Sequence, residues 1–161
     1  MKIPVSLLST YLYCPRKLFL ERVLMLEEPP KESLVLGSLR HEVFDSINKK
    51  EIELVKSIKE RLRIDNIEIL YKEAYLRMLK EAVSKNKKRL ESVNVSMLDA
   101  YKSALPYIIE ESHLRAENVF NFIEANNVFG DLLWERLTPK VISEMRIESD
   151  ALNLKGVVDQ V

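Results

Sequence analysis

Residues 140–161 read KVISEMRIESDALNLKGVVDQV, and this stretch decides the fold class. From Lys140 to Glu148 the pattern alternates. Val141, Met145 and Ile147 fall on one face, and Glu144, Arg146 and Glu148 on the other. A period of two is the signature of a β-strand. Ser149 to Asn153 supplies turn residues. Leu154 to Val161 is then apolar on both faces, as in a central strand. Together the two segments predict a β-hairpin over 139–161. A two-stranded sheet is marginal by itself. An interior-type strand placed last also leaves a charge-poor edge that seeks a partner. The expectation is an N-terminal piece of a larger fold, self-associating through residues 154 to 161.

Outward from the hairpin the chain reads as helix. It has only three glycines, Gly37, Gly130 and Gly156, which favours long helices with short connections. Residues 6 to 26 predict a first helix with Ser6 or Ser9 as cap and Leu8, Leu12, Leu18 and Phe19 as apolar positions. Pro15 should kink that helix or divide it. Glu27-Glu28-Pro29-Pro30 is a stop and a short linker. A second helix is expected from about Ser33 to Lys50. Leu36, Val43 and Ile47 line one side of it, and Gly37, His41 and Phe44 share a face at spacings of four and three. Residues 51 to 135 continue as helices, with Pro106 as a division. The whole is expected to be a mostly helical α+β chain. Its parts are N-terminal helices (1–50), a helical insertion (51–135) and a core hairpin (139–161) in one incomplete domain.

Composition narrows the function. Apolar residues make up 47% and charged residues 31%, so the chain can build a core. Lys plus Arg is 25 and Asp plus Glu is 25, for a net charge of zero. That argues against holding nucleic acid by bulk charge, though not against a local basic groove. No apolar run approaches the roughly 18 residues that span a bilayer. The start, Met1-Lys2-Ile3-Pro4, lacks a secretory signal. A single cysteine excludes an internal disulfide framework and an all-cysteine zinc site within one chain. A cytoplasmic protein without membrane contact is the default. The single Gln beside many Lys, Glu, Ile and Leu hints at a thermophile.

Asp159 is the sharpest chemical feature, because an ionised carboxylate among valines needs a cation or donors. The alternative is a strand-end Asp in solvent. Gly156, three residues earlier, leaves room for a backbone or ligand to come close. Glu144 on the partner strand is either a surface residue or a second metal or positioning group, since magnesium takes oxygen ligands. His41 is either a satisfied structural residue or a ligand. His113 has no partner pattern. Cys14, in Tyr13-Cys14-Pro15-Arg16-Lys17, is either a small buried residue or one ligand of a cluster. The run from Lys85 to Arg89 is a solvated face or, as the minority reading, a phosphate contact.

Three blocks taken together carry a resemblance. They are Ser6 to Leu18 with its Cys14-Pro15-Arg16-Lys17, then Leu36-Gly37-Ser38-Leu39-Arg40-His41-Glu42, then Ser143-Glu144-Met145-Arg146-Ile147 leading to Gly156-Val157-Val158-Asp159. The chain resembles the CRISPR-associated RecB-like exonuclease family within the PD-(D/E)xK nuclease superfamily. The resemblance implies a metal-dependent exonuclease module acting on single-stranded DNA ends, with CRISPR adaptation proteins as candidate partners. It implies that His41 and Asp159, and less directly Glu144, hold Mg2+ or Mn2+. It makes Cys14 one of four iron–sulfur ligands in a complete parent protein, and Arg16 and Lys17 weak candidates for DNA contact. The metal polarises the phosphate and activates water, and a lysine helps orient and deprotonate it. That lysine belongs to a Glu-x-Lys motif which does not follow Asp159 here, and three further cysteines are absent as well. Residues 1–161 alone are therefore expected not to cleave DNA. The rival expectation is a non-catalytic remnant that binds a partner protein or DNA.

Overall fold

The computed structural model describes residues 2–26, 29–140 and 143–160, with residues 143, 144, 159 and 160 described by backbone alone. Glu27, Glu28, Val141 and Val161, to which linker and strand roles were assigned above, lie outside the described residues. The chain forms two compact units: residues 1–29 with 141–161, and residues 30–140.

The first unit holds the sheet. A short strand β1 (Ile3–Pro4) leads into α1 (Val5–Tyr13) and α2 (Pro15–Arg22). The predicted helix is indeed divided at Pro15. Cys14 is extended there, its Sγ accepts the Lys17 N–H at 3.4 Å, and Pro15 occupies the first turn, where a missing N–H is harmless. The period-two segments form β2 (Ser143–Ser149) and β3 (Leu154–Gln160), paired antiparallel.

The two-strand expectation is corrected. The sheet has three strands in the order β1-β3-β2, because Ile3 and Pro4 pair parallel with Leu154 and Lys155. β3 is therefore central over its first residues, not a bare edge. Two residues are too few for any periodicity to announce a strand. Lys2 fastens the same corner, with its Nζ 2.7 Å from Glu148 and 2.8 Å from Asp150. These bonds hold the Lys2 ammonium above its ordinary pKa and the Glu148 carboxyl below its own. Gly156 lets Val5 come close: a Cβ there would sit 3.3 Å from a Val5 methyl.

The second unit is helical. It contains α3 (Glu32–Lys56), α4 (Ile64–Lys85), α5 (Lys87–Glu91), α6 (Met97–Asn126) and α7 (Gly130–Arg136). The second predicted helix extends about one and a half turns past Lys50 because Glu51 and Val55 continue its buried side. α4 and α6 form the broadest interface. Tyr71, Tyr75 and Leu79 of α4 and Ile108, Val119 and Ile123 of α6 are all buried.

Pro106 does not divide the region; it lies inside the 30-residue α6. Pro106 and Lys102, one turn earlier, are both exposed, so water can serve the carbonyl that the proline leaves unpaired. Ala104 and Ile108 on either side are buried. Ser96 starts this helix by accepting the Asp99 N–H at 3.0 Å.

A polar cluster interrupts the helical core at Arg115. Arg115 of α6 pairs with Glu51 of α3, with Glu111 at 2.6 Å and with Asn48 Oδ1 at 2.6 Å. Burial lowers the Arg115 guanidinium to about 10 and raises the Glu111 carboxyl. Tyr71 and Tyr75 stack edge to face at 5.6 Å, and neither hydroxyl has a hydrogen-bond partner among the described residues. Burial pushes both phenols well above their ordinary range.

Candidate functional site

The hairpin places two of the predicted site residues by register. Ser143 pairs with Gln160 and Met145 with Val158. Positions 144 and 159 therefore lie between those pairs, one on each strand. A slip of one residue would destroy this arrangement, because every side chain would change face. The alternation of β2 and the turn at 150–153, with Asn153 at a φ of 52°, hold the register. Glu144 and Asp159 are thus opposite each other in the backbone ladder of the first unit.

His41 belongs to the second unit and is exposed on α3. Gly37, His41 and Phe44 share a face as the spacing predicts, and together with Arg40 and Tyr107 they line a notch of about 190 Å3. The Arg40 guanidinium carbon lies 5.0 Å from the centre of the Tyr107 ring. Sequence reasoning missed both of these residues. Arg40 was legible in principle, three positions after Gly37 and four before Phe44. Tyr107 was not, because it reaches the notch from a helix some sixty positions further on.

The neighbouring residue, Glu42, is held differently. It accepts from Lys85 at 2.5 Å and from Asn86 at 2.7 Å. The Lys85 bond, with that of Asn86, keeps its carboxyl below the usual range. Arg89 bonds Ser38 at 3.3 Å and Asn86 at 3.1 Å. The basic run from Lys85 to Arg89 thus has a structural use at two of its positions: it ties the end of α4 and α5 to α3.

The remaining candidates stand apart by role. Cys14 is half-buried and caps α2. Arg16 is exposed, and Lys17 lies 3.5 Å from Glu21 one turn on. His113 meets Glu68 at 2.9 Å on the surface of the second unit.

Among the described residues no three His, Cys, Asp or Glu side chains gather as a metal site. The donor chemistry of positions 144 and 159 nevertheless suits a hard divalent cation. Magnesium is commonly bound by one or two carboxylates, with phosphate and water completing its shell. No helix among the described residues is long and apolar enough to cross a membrane.

A small three-stranded mixed sheet and seven helices among the described residues make this a mostly helical α+β protein. Comparison with protein families makes this specific: the model of the PD-(D/E)XK nuclease superfamily matches residues 2–161, and the chain belongs to that superfamily. No curated protein and no solved structure shows a significant match.

Proposed function

We propose that the chain carries the metal-binding hairpin of a DNA exonuclease of the CRISPR adaptation type, acting on single-stranded ends. The observation that supports it best is the register of β2 on β3, which sets Glu144 opposite Asp159 in a chain matched by the nuclease superfamily over residues 2–161. In this reading Asp159 is the principal ligand of Mg2+ or Mn2+ and Glu144 the second. The ligand role that the resemblance gives His41 is part of the same proposal. A cation bound there supplies a polarised phosphate and an activated water. Cys14 would join an iron–sulfur cluster only in a parent protein that brings three more thiolates. Adaptation proteins are the proposed partners, and self-association through residues 154 to 161 remains part of the reading. The rival reading is a non-catalytic remnant that binds a partner protein or DNA.

Titration calorimetry with Mn2+ on residues 1–161 separates the two. The nuclease reading expects one ion per chain and, in Asp159→Asn, a loss of affinity of at least about tenfold, as loss of an inner ligand should exceed the effect of an outer one. An affinity unchanged in Asp159→Asn would sink the assignment.

A further inference from the structure

We propose that the notch between α3 and α6 is a stacking subsite that grips one base of a single DNA strand beside His41. The inference rests on the nuclease reading for the choice of DNA, and on the notch itself for everything else.

Gly37 is the first observation. A glycine in the middle of a long helix is destabilising, so it calls for a reason. A Cβ built on Gly37 meets nothing within 4 Å. No close packing among the described residues requires the glycine. What its missing side chain leaves is an open floor in the notch formed with Arg40, His41, Phe44 and Tyr107.

Size is the second. The volume, about 190 Å3, is below the roughly 300–1,000 Å3 of pockets that enclose a whole small molecule. It suits a piece of a larger ligand, such as one planar base of a strand.

Chemistry is the third. Tyr107 is 54% exposed although it is aromatic, and the Arg40 guanidinium lies 5.0 Å from its ring centre. Aromatic rings and guanidinium planes are the surfaces on which unpaired bases stack. Arg40 also offers charge-assisted hydrogen bonds to the adjoining phosphate. Because the chain is neutral overall, affinity for a strand must come from such local contacts rather than from bulk charge. A paired duplex hides the faces of its bases, so the notch selects single strands.

The test is fluorescence anisotropy with a labelled single-stranded DNA of about eight nucleotides, long enough to set one base in the notch with phosphates on either side. It is run in EDTA, so that metal binding plays no part. Tyr107→Ala should weaken binding about tenfold, and Tyr107→Phe should retain it. Gly37→Leu should weaken it similarly by filling the notch, while its thermal midpoint does not fall. If Tyr107→Ala proves unfolded, Gly37→Leu decides the matter. Wild-type affinity in Gly37→Leu and in folded Tyr107→Ala overturns the subsite and leaves the nuclease reading intact. A wild type that binds Mn2+ but no single-stranded DNA does the same. Absence of both Mn2+ and DNA binding removes both. Tighter binding of RNA of the same sequence overturns the assignment to DNA.

Discussion

Ile47 in α3 and Leu12 in α1 are both aliphatic residues on helices, yet Ile47 is fully buried and Leu12 is 75% exposed. The contrast runs through the two units. In residues 30–140, α3, α4 and α6 have 25, 22 and 30 residues and enclose a continuous core from Val35 to Leu137. In the sheet unit, α1 and α2 have nine and eight residues, and no described residue reaches full burial. Tyr11, Leu12, Tyr13 and Phe19 are all exposed there. A helix face is buried only when a second element of comparable length lies against it. The sheet unit is held instead by backbone pairing and by the Lys2 ion pairs at its corner. The difference teaches that the same apolar alphabet makes a core in one region and an uncovered surface in the other.

The largest expected effect lies where the helical unit departs from apolar packing. Arg115→Met should destabilise it by about 3–5 kcal/mol, because Glu51 and Glu111 would be left without their counter-charge. Urea unfolding followed by circular dichroism measures it. A loss below about 1 kcal/mol, the range of exposed ion pairs, would show the cluster to be hydrated and the core boundary misplaced.

A smaller effect sharpens the comparison directly. Ile47→Val removes one methylene from a closed site and should cost about 0.5–1.5 kcal/mol. Leu12→Ala removes more carbon from an exposed one and should change stability by less than about 0.5 kcal/mol. If Leu12→Ala is the more damaging of the two, the α1 face is covered in solution and the contrast between the units fails.

The smallest effect has the opposite sign. Tyr75→Phe deletes a buried hydroxyl that has no partner among the described residues and keeps the ring that stacks on Tyr71. Stability should stay level or rise by up to about 1 kcal/mol, which is roughly 2–4 °C in midpoint for a chain of this size. A fall of several degrees in a thermal melt would mean that the hydroxyl is satisfied after all.

Much of this molecule is local and was therefore legible in the amino-acid order. Alternation from Lys140 to Glu148 foretells β2, and the acidic positions 144 and 159 follow from the hairpin it forms. Pro15 foretells the division of α1 from α2, with no hint that Cys14 would cap the second. The spacing of Gly37, His41 and Phe44 places them on one face, and the notch bears this out. These features depend on neighbours a few positions away, where backbone geometry imposes a fixed period.

Tertiary structure alone decided the rest. β1 exists because Ile3 and Pro4 meet Leu154 and Lys155 from the far end of the chain. α6 passes through Pro106 because Ala104 and Ile108 are buried around it. Tyr107 reaches Arg40, and Arg115 reaches Glu51, only once separate helices lie side by side. No local period encodes such meetings: they come from burying apolar faces against one another, and the polar partners are brought together by the packing that results.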